Sequence, residues 1–550
     1  MIGGGDRLPL RDRGMIGDTG TAALVAADGT VDWWCPGRFD APAAFFRLLD
    51  PEGGALRVGP AGPPRPGVQS YEPSTNVLRT VLPAPGGELE LTDFLPWQGG
   101  PGPGRGPGAG RIVRLVTARS GRIDVDVDVA PASGFRAARE VGTWSRGIAF
   151  EGIVVHTPCA MEGRHGRFTL EPGEQAVVVA EARPPGPRRP APLSLDQAHD
   201  LLDRTRTAWR SHLVPLAYDG PHRSSVERSL LVLKALTYGP TGTVVAAPTT
   251  SLPERVGGER NWDYRYAWVR DASLAVDASY DAGLVDEGER FIEWLCGVLG
   301  RSDGFPLRPV YDVDGLELDP DGERELELAG WRRSQPVRVG NGAADHLQLD
   351  FYADLVSAIH LEQLDGGVAG SLADDLWPSL AAMADWLADA WRGPDRGIWE
   401  IRCEPRHLVS SKLACWYALD RMVRLARARN PLDLDAVHWF KARAEILAWL
   451  EANALATGGG LRADTSPTDR AEASLVQLAW RNPWPGDEAV VHRTVDRVVD
   501  LLGTGAFVHR YGAAFPDGLP PGEGAFLACS FWTVEALARL GRWDEAHDRM

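Results

Sequence analysis

Aromatic, arginine and aspartate side chains crowd into residues 257–271, GGERNWDYRYAWVRD, which end where a helical pattern begins. Flat aromatic rings stack on the apolar faces of sugar rings, while Arg and Asp make paired hydrogen bonds to neighbouring hydroxyl groups. These are the residue types that a pyranose-binding pocket needs. A buried Arg–Asp pair beside helix-capping residues explains the segment equally well, because charged residues also gather at helix starts. Both interpretations stay open at this point.

A second segment, residues 397–407 (GIWEIRCEPRH), places Glu400 directly after Trp399 and two residues before Arg402. A carboxyl group against an indole face is desolvated, which raises its pKa toward the range that a general acid requires. The cation of Arg402 would lower that pKa and offers an alternative, a surface ion pair. From this segment alone the surface ion pair is the favoured interpretation.

Two further segments, residues 331–350 and 509–526, join glycine-rich turns to arginines and then enter helical patterns. We expect their amides and guanidinium groups to line a cavity at one end of a helical domain. The sequence has no GxGxxG or Walker-type loop, and its lone histidines lack the spacing of HExxH or a comparable motif. It therefore predicts neither a metal site nor an organic cofactor.

The elements that must position these segments fall into two groups along the chain. From residue 14 to about residue 190, short alternating runs of Val, Ile, Leu and Thr are separated by DG, GG, SG and PG pairs. This is the pattern of antiparallel strands and hairpins, and it predicts a β-sandwich domain over residues 1–192. The Gly/Pro-rich run at 99–111 is interpreted as a hairpin tip, and RPPGPRRPAP at 183–192 marks a change of architecture.

After residue 193 apolar residues recur at i, i+3, i+4 and i+7, which predicts helices with one buried face each. The helical patterns cover residues 194–213, 223–238, 269–284, 285–299, 344–364, 371–392, 409–429, 434–454, 469–480, 487–502 and 523–541, with a last one begun at 544. We predict a linker helix over 193–222 and an (α/α)6 barrel over 223–550. Such a barrel closes with twelve helices and the sequence supplies fewer, so we expect the natural chain to continue past Met550.

Composition limits the class of protein and its partners. The chain has 550 residues, of which 44% are hydrophobic and 24% charged, so it is globular and has room for two large domains. A net charge of −17 repels nucleic-acid and lipid phosphates, so neither is a predicted partner. The amino terminus lacks the apolar stretch of a secretory signal, and no run of about 18 apolar residues occurs. The predicted location is therefore cytoplasmic.

The order of these segments resembles the bacterial branch of glycoside hydrolase family 15, which includes glucoamylases and trehalases. The resemblance rests on five colinear motifs: IGDTGTAALVAADGTVDWWCPGRFDAPAAF, GGERNWDYRYAWVRDAS, RRSQPVRVGNGAADHLQLDFY, GIWEIRCEPRHLVSSKLACWYALDR and DGLPPGEGAFLACSFWTVEALARLGR. It implies a β-sandwich joined to an (α/α)6 barrel. It also implies inverting cleavage of α-glucosidic bonds from the non-reducing end.

The resemblance implies roles for individual residues as well. Glu400 becomes the general acid, which displaces the surface-pair interpretation, and Arg270 with Asp271 binds the hydroxyl groups of the terminal glucose. The residues that we expect to bind substrate or line the cavity are Trp262, Arg270, Asp271, Arg338, Asn341, Trp399, Arg510 and Tyr511.

Inversion also requires a general base, a carboxylate about 6.5–9.5 Å from the acid, to activate the attacking water. The resemblance places this base on a loop after the eleventh helix, a segment that this sequence does not contain. Glu404 and Glu523 are poor substitutes, so we leave the base unassigned and expect it beyond Met550.

The sequence thus predicts an inverting, exo-acting enzyme that releases glucose from a small α-glucoside or a maltooligosaccharide, with trehalase as the alternative. A disaccharide phosphorylase, in which phosphate replaces water and the base, is an alternative from another reaction class. A non-catalytic sugar-binding homologue is a further alternative. All of these bind a small carbohydrate, and the sequence predicts no oligomeric state.

Overall fold

The computed structural model describes residues 8–97, 110–182, 191–364, 369–429, 435–484 and 488–550. The predicted hairpin tip at 99–111 and the predicted change of architecture at 183–192 lie largely outside these ranges. The described residues form an amino-terminal half of strands and a carboxyl-terminal half of helices.

Antiparallel strands build the first half. They are β1 (Arg13–Gly17), β2 (Ala22–Ala26), β3 (Thr30–Trp34), β4 (Ala55–Pro60), β5 (Val68–Tyr71), β6 (Leu78–Ala84), β7 (Gly87–Phe94), β8 (Arg111–Ser120), β9 (Ile123–Ala130), β10 (Ala132–Ser133), β11 (Arg136–Ala137), β12 (Glu140–Trp144), β13 (Gly147–Phe150), β14 (Ile153–His156), β15 (Met161–Glu162), β16 (His165–Leu170) and β17 (Gln175–Ala182). A seven-stranded sheet has the order β1-β2-β3-β4-β9-β16-β15, and an eight-stranded sheet has the order β12-β13-β14-β17-β8-β7-β6-β5.

Strand β9, with the sequence IDVDVDVA, illustrates how the two-residue period makes this fold. Val125, Val127 and Val129 are buried in the apolar core that residues of both sheets form. Asp128 points the other way and bonds His165 of the neighbouring strand at 2.9 Å. The apolar faces of the two sheets are thus buried against each other, which confirms the predicted sandwich.

The second half is helical. Its helices are α1 (Leu195–His212), α2 (Arg223–Leu236), α3 (Val269–Asp281), α4 (Asp286–Arg301), α5 (Phe351–Leu364), α6 (Ala369–Ala390), α7 (Val409–Arg429), α8 (Asp435–Asn453), α9 (Glu488–Leu502), α10 (Leu527–Arg539) and α11 (Trp543–Arg549). Short strand pairs connect the loops: β18 (Ala267–Trp268) with β19 (Val310–Tyr311), β20 (Arg324–Leu326) with β21 (Val337–Val339), and β22 (Gly503–Thr504) with β23 (Phe507–Val508). Helices α3, α5 and α7 pack side by side, while α4, α6 and α8 lie against them, as in an α/α barrel.

Three predicted helices differ from the structure, and two of the differences involve the cavity described below. The pattern at 344–364 becomes a 3-10 turn, Gly342–Asp345, and then α5, because Gln348 between them bonds Glu400 and Arg270 in the cavity wall. The pattern at 523–541 is helical only from Leu527, because 524–526 form part of the cavity wall.

The pattern at 469–480 was predicted as an α-helix and is a 3-10 helix, Ala473–Ala479. Glu472 is extended and pairs with Tyr511 as an isolated bridge, so no helix forms before it. Side chains from Ala473 to Leu478 are buried, and packing on all sides therefore sets the conformation of this segment.

Contacts with the sandwich fix the loop that leads into α3. The Trp33 indole N–H donates to the carbonyl of Pro248 at 2.7 Å, and Arg265 donates to the carbonyl of Ala41 at 2.9 Å. Arg38 of the sandwich pairs with Asp312 and Asp314 of the helical half. Within the described ranges, no helix combines the length and apolar character needed to cross a bilayer.

Candidate active site

A cavity of about 530 Å³ opens where the loops preceding α3, α7 and α10 meet, a size typical of small-molecule sites. Its wall includes Glu254, Arg260, Trp262, Tyr264, Trp268, Arg270, Asp271, Trp399, Glu400, Arg402, Arg510, Phe526 and Trp532. Carboxylates, guanidinium groups and aromatic rings are thus gathered from segments up to 278 positions apart in the chain, from Glu254 to Trp532. This is the mix of groups that a carbohydrate site requires.

Glu400 lies in this wall, and one of its two carboxylate oxygens is fully engaged. Oε1 accepts hydrogen bonds from the Trp268 indole N–H at 2.7 Å, from the Gln348 amide at 3.2 Å and from Arg270 at 3.3 Å. No donor to Oε2 occurs among the described residues. Oε2 is therefore the oxygen left for a ligand in the cavity.

The backbone of Glu400 is left-handed, with φ of 53°. Its N–H donates to the carbonyl of Gly397 at 3.0 Å, and Gly397 itself has φ of 59°. The buried Asp395 carboxylate accepts hydrogen bonds from the N–H of Gly397 at 3.0 Å and from Ser411 at 2.8 Å, which holds this tight turn in place. A residue other than glycine in this conformation costs on the order of 1 kcal/mol, and such strain is concentrated at functional sites.

The pKa of Glu400 moves in the direction opposite to the one expected from its neighbour Trp399. Burial raises this pKa, but the charge of Arg270, assisted by His346 and by the Gln348 and Trp268 hydrogen bonds, outweighs burial and leaves the pKa below its usual value. The indole N–H of Trp399 turns away and donates to Glu472 at 2.8 Å. These neighbouring groups therefore favour the carboxylate form of Glu400.

Arg270 stands among three carboxylates at the start of α3. It contacts Glu400 at 3.3 Å, Asp350 at 3.4 Å and Asp271 at 3.5 Å, and it donates to Gln348 at 3.2 Å. Burial raises the pKa of Asp350 to about 7 although the Arg270 charge opposes that shift. One cation thus holds together residues that the sequence spreads over three loops.

Arg510 occupies another part of the wall, bonded by one nitrogen to both Glu254 and Glu523. Burial and the Glu523 carboxylate raise the pKa of Glu254 to about 7, although the charge of Arg510 opposes this. Tyr511 lies behind the wall, where its hydroxyl donates to Asp517 at 2.6 Å. Arg510 therefore reaches the cavity as expected, whereas Tyr511 supports it from outside.

Two residues expected in the cavity wall are engaged elsewhere. Asn341 is buried, and its side chain accepts from the N–H of Ala343 at 2.9 Å and donates to the carbonyl of Asp263 at 3.1 Å. Arg338 donates to the carbonyl of Glu259 at 2.9 Å and lies over the ring of Trp262. Both side chains hold loops in shape, and neither lines the cavity.

The sequence reasoning missed Trp268, Gln348 and Glu254. Trp268 and Gln348 each precede an acidic or basic site residue by two positions in motifs already singled out. Nothing in that spacing distinguishes a donor to Glu400 from a core residue. Glu254 lies outside the quoted motifs and gives no signal in the sequence.

A metal centre is not found in the part of the chain that the structure describes. No group of three or more His, Cys, Asp or Glu side chains there is arranged to hold a metal ion. The chemistry of the site is accordingly built from its carboxylates, guanidinium groups and aromatic rings.

A half-buried carboxylate with one free oxygen, in a polar and aromatic cavity of an α/α barrel, fits the class of glycoside hydrolases. The family model described as glycosyl hydrolases family 15 matches residues 220–547, and the model described as trehalase-like, N-terminal, matches residues 2–152. The chain belongs to glycosyl hydrolases family 15 and is a glycoside hydrolase, which confirms the resemblance of its motifs.

Curated relatives align over nearly the whole chain. A trehalase of Mycolicibacterium smegmatis is 33% identical over 575 residues, covering 98% of this chain and 84% of the relative. A trehalase of Thermoplasma acidophilum is 32% identical, covering 94% of this chain and 89% of the relative. A solved glycosidase aligns with 60% of this chain and 84% of its own at 20% identity, with a TM-score of 0.47, a likeness too distant to carry an argument.

Proposed function

We propose that the protein hydrolyses trehalose to two glucose molecules with inversion, and that its helical domain, residues 223–550, carries the reaction in the cytoplasm. The single observation that carries this proposal is the Glu400 carboxyl group, with three donors on Oε1 and a free Oε2. The names of the two curated relatives favour trehalose over the glucoamylase-like substrates that the sequence suggested first.

Glu400 acts as the general acid in this proposal. When protonated, it carries its hydrogen on Oε2 and keeps Oε1 as the acceptor for Trp268, Gln348 and Arg270. The proton passes to the glycosidic oxygen while the bond to the anomeric carbon breaks. The same three donors then stabilise the carboxylate that forms, where an N–H bond to a charged acceptor contributes about 1.5–3 kcal/mol.

Arg270 and Asp271 hold the hydroxyl groups of the glucose that is cleaved, with Arg510 and Trp399 on other parts of the wall. Water adds to the anomeric carbon from the face opposite the acid, and its proton goes to a base. We assign that base to no described residue.

The first test is replacement of the acid. Glu400→Gln keeps the shape of the side chain but has no transferable proton, so we expect kcat on trehalose to fall by about 10²–10⁴-fold. The thermal midpoint should stay within a few degrees of wild type. Glu404→Gln, in the same loop but exposed, is the matched control and should retain activity. Near-normal turnover by the Glu400 variant would exclude the assignment.

Product analysis tests the reaction itself. Following trehalose by NMR, we expect equal initial amounts of α- and β-glucose, because inversion changes one anomeric centre and leaves the other. Release of glucose phosphate in phosphate buffer would favour the phosphorylase. Trehalose binding by calorimetry without any turnover would favour the non-catalytic homologue.

A further inference from the structure

Two arginines pack on the ring of Trp262. The guanidinium carbon of Arg402 lies 4.1 Å from the centre of its ring, and that of Arg338 lies 4.4 Å from it. Both cations are close enough to be attracted by the π electrons of the indole. Trp262 therefore helps to position both arginines.

The two arginines of this stack differ in what their N–H groups do. Arg338 donates to the carbonyls of Glu259 at 2.9 Å and Asn261 at 3.4 Å, and to the Glu325 carboxylate at 3.4 Å. The nearest described carboxylate to Arg402 is Glu323, at 3.7 Å, which is beyond hydrogen-bond distance. The guanidinium of Arg402 thus keeps most of its five donors without an acceptor among the described residues.

The position of Arg402 directs these donors toward the substrate. Arg402 lines the cavity and follows Glu400 by two residues, whereas Arg338 does not line it. Gly342 leaves space beside it, because a Cβ there would stand 3.2 Å from Nη1 of Arg402. The indole and Gly342 hold the planar group in place, so little conformational entropy is lost when a ligand binds.

We propose that Arg402 binds vicinal hydroxyl groups of the leaving sugar, the half of the substrate whose oxygen Glu400 protonates. This inference rests on the proposed function and adds a determinant of substrate choice. A planar guanidinium matches two neighbouring oxygens, so the enzyme gains affinity only when the leaving group is itself a sugar. Arg270, which contacts both Asp271 and Glu400, remains together with Asp271 at the glucose that is cleaved.

Comparing two substrates distinguishes contacts with the leaving group from contacts with the glucose that is cleaved. Trehalose has a sugar as its leaving group, whereas α-glucosyl fluoride presents the same glucose with a fluoride that has no hydroxyl group. For Arg402→Ala we expect the ratio of kcat/KM for trehalose to kcat/KM for the fluoride to fall about 10- to 100-fold. Arg402→Lys, which keeps the charge and loses the planar pair of donors, should show most of this fall.

Arg338→Ala is the matched control, because it removes the other half of the stack on Trp262. Arg338→Ala should change kcat/KM for both substrates by the same factor. The proposal would be overturned if the trehalose-to-fluoride ratio of kcat/KM in Arg402→Ala stays at the wild-type value, or falls only as far as it does in Arg338→Ala. Competition of inorganic phosphate with trehalose that is lost in Arg402→Ala would also overturn it, since Arg402 would then be an anion site.

Failure of the proposed function gives a different result. If the wild type cleaves α-glucosyl fluoride and maltose but not trehalose, the substrate assignment is wrong. The ratio is then measured with maltose, and a selective fall still supports the role of Arg402.

Discussion

At the scale of single residues, the state of Glu400 is set by groups that approach it from distant parts of the chain. Arg270 and Trp268 precede it by 130 and 132 positions, and Gln348 by 52. Together they overcome the effect of burial on its pKa. The reactivity of this carboxyl is thus a property of the assembled barrel.

Replacing one donor should move the pH dependence of the reaction. Trp268→Phe keeps the ring and removes the indole N–H, a bond to a charged acceptor worth about 1.5–3 kcal/mol. Loss of this bond destabilises the carboxylate relative to the protonated form, so the pKa of Glu400 rises. We expect the alkaline limb of the kcat/KM profile on trehalose to move to higher pH.

Trp294→Phe provides the comparison for this shift. The Trp294 indole N–H is buried and has no acceptor among the described residues, and its ring packs in the barrel core. This variant should leave the alkaline limb in place. If the limb stays in place in Trp268→Phe as well, Glu400 is not the group that the profile reports.

The Trp399–Glu400 and Arg270–Asp271 pairs are predictable from sequence, because each pair lies in one short motif. The hydrogen bonds to Oε1 are not, since they depend on three loops meeting. The sequence also places residues in the cavity that do not line it, namely Tyr511, Arg338 and Asn341. They belong to the right motifs, but their polar groups satisfy buried backbone and side-chain partners, which sequence order does not reveal.

At the scale of elements, helix α3 carries charge along the face that looks toward the barrel axis. Arg270, Leu274 and Asp277 follow one another at intervals of four and three residues, so they share this face. Burial and the nearby Asp354 and Asp281 raise the pKa of Asp277 to about 8, and Arg481 only partly opposes them. One oxygen of Asp277 is buried and has no partner in the described part of the chain.

This shift makes stability fall with rising pH. The folded protein holds a proton on Asp277 up to about pH 8, whereas the unfolded chain releases it near the ordinary value of 3.8. The stabilising effect of that proton is complete at low pH and is lost as the pH rises through 8. Asp277→Asn, which is neutral at every pH, should therefore gain stability relative to wild type between pH 5 and pH 9.

Denaturant unfolding at several pH values measures this difference. Glu293→Gln, exposed on the neighbouring helix α4, is the control and should give a difference that is nearly constant with pH. A constant difference for Asp277→Asn as well would show that Asp277 is ionised in the folded protein.

Element boundaries show where sequence periodicity stops being informative. The apolar period correctly identifies α3 and α9, whose buried residues recur along one face. It extends too far at 344–350 and 523–526, where apolar and small residues serve a loop or the cavity wall. The pattern itself is the same in both cases, and only the packing of neighbouring elements separates them.

At the scale of the whole molecule, the sandwich and the barrel meet through charges of both domains. Arg38 of the sandwich forms ion pairs with its neighbour Asp40 at 2.7 Å and with Asp312 at 3.4 Å. It also forms an ion pair with Asp314. Asp312 is partly buried, and this raises its pKa. Without Arg38, three carboxylates would face one another across the domain boundary.

Arg38→Ala should therefore weaken the molecule in a pH-dependent way. The three carboxylates repel one another when they are ionised, so stability is lost as the pH increases from 5 to 7.5. We expect a loss of about 1 kcal/mol at pH 7.5 and a smaller one at pH 5, in thermal or urea unfolding. Arg139→Ala, which breaks an exposed pair with Glu151 inside the sandwich, is the control. A loss that does not depend on pH would contradict the argument.

At position 400 the left-handed backbone makes the residue that activity needs differ from the residue that stability favours. Glycine adopts this conformation without steric cost, whereas glutamate does so only under strain. A variant library selected solely for thermal resistance would accordingly enrich chains that have lost the acid, because position 400 is where the fold gives up stability for reactivity. Engineering this enzyme for heat tolerance requires a screen that scores turnover alongside survival.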